Sequence, residues 1–458
     1  MASKARTMIN NLLDDNSFVE FGEAVTARST DFNDLEPKEA SDGVITGHGL
    51  INDSLVFVYA QDASVLGGTI GEMHAKKIAK LYDMATKVGA PVVGLIDSNG
   101  VRLYEAMDSI EAIGDIISLA SSASGAIAQV LAIAGNCGGG LNALAALNDY
   151  VIMCDDAHMF INSPDTIDNN YTDKLDTSSA QFRYESGCID AICSVDEIPE
   201  LIRDYLDVAP HNNTESGYID EFTEDDFNRA VDYNSNDNIK TLITEIADDN
   251  FFVETKSGIK DAVTGLIRLA GQSVGVVANG TDEESSRLNV NGAYEMADFV
   301  SYCDAFGIPI LTITNMDGFE CDLNTERHMG DALAKLAIAL SSADVPKVNL
   351  IVGKAVGSGY IFMNSKSLGA DLVYAYPGAD MTLMDERKIA KILSDNGSDI
   401  NEIESLYREN NSGIDNAARR GLVDRIINPA DSRKYLIDAF EMLYSKNRYT
   451  DIKKHSAK

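Results

Sequence analysis

A chain of 458 residues is long enough for two or three domains, each with its own core. Its formal net charge of −35 argues against nucleic-acid or anionic-membrane partners, and no apolar run approaches the length of a membrane span. Six scattered cysteines without a C-x-x-C pair exclude a disulfide framework or a zinc ribbon and fit a reducing cytoplasm.

The N-terminal MASKARTMINNLL is basic but has no long apolar region, so no signal peptide is expected. A short helix within residues 7–20 ends at a turn around Asp14–Asn16. A polar stretch follows to Asp42, then two strands at about 43–51 and 55–60 with alternating apolar residues. A glycine loop leads into a helix over 72–87. Ile78, Leu81 and Ala85 form one face, Lys76 and Lys80 lie opposite, Lys77 flanks them, and Gly89 and Pro91 stop the helix. Val92–Ile96 is a continuous buried strand, 110–123 a helix, and Ile127–Ala134 another strand. A glycine turn at Gly138–Gly140 opens an Ala/Leu-rich helical run, and Tyr150–Cys154 returns as a strand. A helix at 197–206 closes the first half. The stretch from 211 to 240, rich in Asn, Asp and Glu, reads as a linker or as an acidic surface loop within one domain.

From about residue 241 the same order recurs: helix 291–306, strand 309–314, helix 328–342, strand 347–352, then Gly357, Ser358 and Gly359. C-terminal helices are expected at 386–395, 402–410 and 432–446. Gly135 and Gly353 are 218 residues apart, as are Gly100 and Gly318, and Gly47 and Gly265. The offset grows to 222 between Asp149 and Asp371. Landmarks at one offset indicate a duplicated fold. Alternating helices and buried strands place both copies in the α/β class. Strand, glycine turn and helix start leave backbone N–H groups free, and the missing Cβ lets a ligand oxygen approach.

Several segments, in order, carry a resemblance: NNLLDDNSFVEFGE (10–23), a long block from SDGVITGHG to DSNGVRL (41–103), AGNCGGGLNALAALNDYVIMCDDAHMFINSPD (134–165), GIPILTITNMDGF (307–319), VPKVNLIVGKAVGSGYIFMNSK (345–366) and ARRGLVDRIINPADSRKYLIDAFEML (418–443). The chain resembles the carboxyltransferase family of biotin-dependent acyl-coenzyme A carboxylases and decarboxylases, which includes carboxylase beta-type and methylmalonyl-CoA decarboxylase alpha-type subunits. The resemblance implies an α/β fold of two tandem duplicated crotonase-like (ClpP/crotonase) ββα-spiral domains, here 1–210 and 241–458 around the linker 211–240.

It also implies a cytoplasmic enzyme that moves a carboxyl group between biotin, held on a separate carrier protein, and the α-carbon of a short-chain acyl-coenzyme A. In that chemistry the biotin ureido group itself takes the α-proton, so no side-chain base is required. Two backbone oxyanion holes are needed instead. By resemblance Gly139 and Gly140 hold the thioester enolate, and Ser358 and Gly359, after Gly357, hold the biotin oxygen. Gly100, Arg102 and Gly138 flank the acyl-coenzyme A, and Ile361 lies near a position that tunes acyl-chain choice. In so acidic a chain the coenzyme A phosphates require local cations, and Lys76, Lys77, Lys80 and Arg102 are the candidates. No metal site is expected, because the six histidines have no ligand spacing. The implied partners are a biotin carboxyl carrier protein, a biotin carboxylase or membrane decarboxylase subunit, and further copies of the chain. A hexamer built as a trimer of dimers is the usual form.

Four stretches depart from the family pattern: SNGVRLYEA (98–106), LDTSSAQFRYESGC (175–188), DERKI (385–389) and the loop 320–331, which is shorter than usual. They motivate one alternative, a non-catalytic structural subunit; a second alternative is a biotin-free crotonase-type acyl-coenzyme A enzyme. The latter would need a carboxylate such as Asp97 or Glu105 in the first pocket.

Overall fold

The structure is a computed structural model that describes residues 3–32, 40–168, 174–215, 225–234, 237–280, 286–394, 399–446 and 455. It divides into two compact units. The first comprises Met1–Glu215, Lys256–Gly258 and Ile452–Lys458, and the second Ser216–Thr255 and Ile259–Asp451.

In the first unit the elements run α1 (Lys4–Leu12), β1 (Val19–Phe21), β2 (Val44–Ile51), β3 (Ser54–Gln61), α2 (Glu72–Val88), β4 (Val92–Ser98), α3 (Met107–Ala123), β5 (Gln129–Gly138), α4 (Leu141–Ala146), β6 (Tyr150–Cys154), β7 (His158–Phe160), α5 (Ala180–Glu185), β8 (Ala191–Cys193) and α6 (Ile198–Val208). The sheet order is β1-β2-β3-β4-β5-β6-β8, with β7 on the far end of β5. The first two pairings are antiparallel and the rest parallel. The central strands are covered on both faces, which is why Val130–Ile133 is an unbroken apolar run with no exposed side chain.

The second unit repeats this. Its elements are α7 (Ile239–Ile246), β9 (Phe252–Thr255), β10 (Ala262–Leu269), β11 (Gln272–Asn279), α8 (Val290–Phe306), β12 (Ile310–Met316), α9 (Leu323–Ser342), β13 (Lys347–Val356), α10 (Gly357–Phe362), β14 (Leu372–Ala375), β15 (Asp380–Thr382), α11 (Glu386–Leu393), α12 (Ile400–Asn411), α13 (Ile414–Arg419), β16 (Arg425–Ile426) and α14 (Ser432–Leu443). The sheet runs β9-β10-β11-β12-β13-β14-β16, with β15 on the end of β13.

The repeat extends to single hydrogen bonds. Asp149 accepts from the N–H of Gln129 and donates its own N–H back to Gln129 O; Asp371 does the same with Lys347. Asp190 and Val151 exchange the same pair of bonds as Asp424 and Val373. Each pair pins the start of one parallel strand to the end of a neighbouring connection. A register shift falls between Ile96 and Ser98 in one sheet and between Thr314 and Met316 in the other. Beside it, a Cβ on Gly135 would collide with the Asp97 carboxylate and one on Gly353 with the Asn315 amide. Close approach fixes glycine at both places.

Two expectations change here. The stretch 211–240 is not simply a tether: its described residues Val231 and Tyr233 are buried in the core of the second unit with Ile239, Leu242 and Ile243. Residues 216–224 and 235–236 lie outside the described residues. The strand expected to end at Ala134 runs on to Gly138, and its last residues, Asn136–Gly138, pair with β7 before the turn.

Candidate functional site: two glycine turns at helix starts

In the first unit β5 runs into the turn at Gly138. Gly139 has φ of +64°, a conformation that glycine adopts without strain, and no atom lies within 4 Å of its missing Cβ. The N–H of Gly139 is spent on Phe160 O at 2.9 Å. Gly140 is conformationally ordinary (φ −62°, ψ −17°) and caps α4. Its N–H meets no acceptor among the described residues. Leu141 follows in the first helical turn, where N–H groups have no acceptor within the helix. Of the predicted Gly139–Gly140 pair, only Gly140 keeps an N–H without an acceptor among the described residues, because the β7 carbonyl has taken the N–H of Gly139.

A second loop closes on this turn. A Cβ on Gly100 would lie 3.2 Å from Gly138 O. Gly100 O accepts from Ile70 N, and Arg102 N donates to Ile70 O, which leaves the N–H of Val101 on the opposite edge of the loop.

Arg102 does not face a ligand. It is 1% exposed, and its guanidinium donates to Asp42 Oδ1 (2.7 Å), Glu105 Oε1 (2.9 Å) and Thr69 O (2.7 Å). Glu105 in turn accepts from the N–H of Glu72 at the start of α2. The terminal nitrogens of Arg102 are engaged inside the fold and its Nε is buried without a partner, which corrects the expectation that it meets phosphate. Lys77 is likewise turned inward. It donates to Ser41 O at 3.0 Å and to Val44 O, and burial pushes its ammonium down to about 8. Lys76 is exposed and paired with Glu72, and Lys80 is exposed with its ammonium 5.6 Å from the centre of the Phe21 ring. These two remain on the solvent side.

No acid or base is offered at the first turn by the carboxylates and histidine near it. Asp97 accepts from Asn136 N and braces the strand end. Glu105 is locked to Arg102. His74 is fully buried between Gln61 Nε2 and Asp42 O, and burial lowers its imidazole to about 3, so it stays neutral. Among the described residues no group of His, Cys, Asp or Glu could hold a metal ion.

In the second unit β13 ends at Val356 and Gly357 takes φ of +58°, matching Gly139 at the 218-residue offset. Ser358 and Gly359 occupy the first turn of α10. Gly359 packs so closely on β12 that a Cβ would sit 2.6 Å from Met316 Cγ. Ile361 is 41% exposed. Next to Gly357 is a cavity of about 220 Å³ lined by Tyr360, Met381, Leu383, Ala417 and Arg420 among others. The Tyr360 hydroxyl is buried without a hydrogen-bond partner, and burial raises it to about 12.

Each turn thus combines a left-handed glycine, a strand end and a helix start whose amides can stabilise a developing oxyanion. A carboxyl transferase domain model matches residues 3–457. The chain belongs to the carboxyl transferase family. It is 36% identical to the propionyl-CoA carboxylase beta chain of Roseobacter denitrificans and to the methylmalonyl-CoA decarboxylase alpha subunit of Propionigenium modestum, over 98% of this chain and 92% of each relative. Among solved structures it is similar to transcarboxylase 12S with hydrolysed methylmalonyl-coenzyme A bound. The TM-score is 0.92 at 32% identity, covering 99% of this chain and 92% of that one. The tandem crotonase-like architecture expected from the sequence is that of this carboxyltransferase fold.

Three features of this carboxyl transferase escaped sequence reasoning. They are the loop N–H of Val101, the side chain of Asn142 beneath the first turn, and Tyr360 beside the second. The last two stand 218 residues apart. A polar residue within the run LNALAAL was the one visible signal.

Proposed function

We propose that the chain is the carboxyltransferase component of a biotin-dependent system, moving a carboxyl group between carboxybiotin and the α-carbon of a short-chain acyl-coenzyme A. Propionyl- and methylmalonyl-coenzyme A are the first substrates to test. The observation that carries this reading is the doubled turn, one in each unit, in a member of the carboxyl transferase family. The Gly140 N–H, with Gly138 and Gly100 beside it, receives the thioester oxygen as the enolate forms. The amides of Ser358 and Gly359 receive the biotin ureido oxygen, and Ile361 lies on the same short helix. Biotin, when bound, supplies the carboxyl group and the proton acceptor. The cavity beside Gly357 and the orphaned Tyr360 hydroxyl fit a ring-sized, hydrogen-bonding ligand there. Lys76 and Lys80 are the exposed cations for the phosphates.

Biotin arrives on a carrier protein, charged by a biotin carboxylase or discharged by a membrane decarboxylase subunit. The chain works in the cytoplasm as a homo-oligomer, a hexamer like transcarboxylase 12S. No helix among the described residues is long and apolar enough to cross a membrane. The test is turnover of purified protein with free biotin and methylmalonyl-coenzyme A. Biotin-dependent formation of propionyl-coenzyme A is expected. No turnover in either direction, with a panel of acyl-coenzyme A esters and a folded oligomer, overturns the reading in favour of a structural subunit.

A further inference from the structure

The side chain of Asn142 lies directly under the first turn. It is 7% exposed, and its Nδ2 is within hydrogen-bond reach of three carbonyls: Cys137 O (3.2 Å), Gly139 O (3.1 Å) and Phe160 O (2.9 Å). Three acceptors around one atom fix the amide orientation, since the flipped rotamer would set oxygen against oxygen. The backbone N–H of Asn142 also reaches Gly139 O, at 3.2 Å.

The geometry points to Asn142 as the positioning residue of the first oxyanion hole, acting through the peptide between Gly139 and Gly140. In a planar trans peptide the C=O and N–H point in opposite directions. Holding Gly139 O against the Asn142 amide therefore turns the Gly140 N–H away from the protein, toward where an oxyanion would sit. Without the side chain that peptide keeps only the longer 3.2 Å bond from the Asn142 N–H, and Gly139, with no Cβ and nothing within 4 Å of one, offers no steric resistance to its rotation. Phe160 O accepts from both Gly139 N and Asn142 Nδ2, so the same side chain ties the two ends of the turn. In the second unit the equivalent position is Tyr360, whose hydroxyl has no partner. The two turns are built alike but braced differently. The specialisation belongs to the acyl-coenzyme A side.

This inference rests on Gly140 being an oxyanion donor, and the experiment separates the two. Asn142→Ala and Asn142→Ser differ by one hydroxyl, and serine in a helix can return a hydrogen bond to the carbonyl three residues back, here Gly139 O. Three quantities are measured on the oligomer: transfer kcat and KM, exchange of the propionyl-coenzyme A α-hydrogens in D2O, and decarboxylation of free carboxybiotin without acyl-coenzyme A. Exchange and kcat are expected to fall roughly tenfold to a hundredfold in the alanine variant, below the full loss of a donor. KM should change little, carboxybiotin decarboxylation should be unaffected, and serine should recover most of the loss. Asn142→Leu, which refills the volume, replaces alanine if that variant melts. Equal rates in the donor-free and serine variants, or a parallel loss of both partial reactions, overturn the brace. If Gly140→Pro abolishes exchange while Asn142→Ala retains it, the hole stands and the brace fails. If both folded variants exchange at the wild-type rate, the reading of the first turn fails as well.

Discussion

Replacing Gly140 by proline removes one hydrogen-bond donor and little else. Its φ of −62° already matches the proline ring, and proline is favoured at the start of a helix. Gly139, the preceding residue, has no Cβ to strike the ring, which leaves its backbone N–H as the group the ring Cδ can press. A Cβ at 140 would touch Ile113 Cγ2 at 3.4 Å and nothing nearer. The N–H that disappears has no acceptor among the described residues, so no bond of the fold is lost. On the proposed function, what is lost is a donor to the enolate oxygen, worth about 10²–10³ in kcat, or roughly 2.7–4 kcal/mol. Gly140→Ala keeps the N–H, adds a similar contact to Ile113 and should stay within about threefold of wild type, since no donor is lost. The pair is cleaner than any change at Gly359, where even a Cβ would displace Met316. The assay is carboxyl transfer to propionyl-coenzyme A together with α-hydrogen exchange, with melting temperature and oligomeric state as controls. A folded proline variant with full exchange would refute the donor assignment. Equal losses in the alanine and proline variants would show that bulk at this position, rather than the N–H, is what matters.

Other expectations follow from the same geometry. Arg102→Met leaves Asp42 and Glu105 buried without their cation and should cost about 3–5 kcal/mol of stability, read as a lower denaturant midpoint. Changing Lys76 and Lys80 together to Gln should raise KM for the acyl-coenzyme A by up to about tenfold at low salt, with kcat kept. Each exposed charge is worth roughly 0.2–1 kcal/mol, and an unchanged KM would remove both from the phosphate site. His74 stays neutral in the fold down to about pH 3, whereas unfolded histidine protonates near 6.5. As pH falls through 6.5 the unfolded state gains the proton and the fold does not, so stability is lost. His74→Gln should flatten this dependence between pH 6.5 and 5 by up to about 1.4 kcal/mol per pH unit, measured by chemical denaturation. Tyr360→Phe breaks no hydrogen bond of the fold, so stability should hold while KM for free biotin rises. An unchanged biotin KM would mean that the hydroxyl only fills space.

Backbone constraints made the duplication legible from sequence. Gly135 and Gly353 are dictated by side chains pressed against them, Gly139 and Gly357 by positive φ, and such positions tolerate no other residue without strain. Apolar runs at 130–133 and 350–352 announced strands covered on both faces, and Gly89 announced the end of α2. The family followed from the order of these segments, and with it the two turns. Side-chain direction was not legible. Lys77 and Lys80 look alike in the helix pattern, yet one is drawn under carbonyls of Ser41 and Val44, more than thirty residues earlier, and the other faces water. Arg102 looked like a phosphate ligand until Asp42, sixty residues away, turned out to be its partner. Which amide of the glycine run is left without an acceptor depended on Phe160 O, which reaches Gly139 only because β7 pairs with the end of β5. Local conformational rules act within a few residues and survive in the sequence. The fate of a charge or an N–H is decided by whichever distant group the fold brings to it.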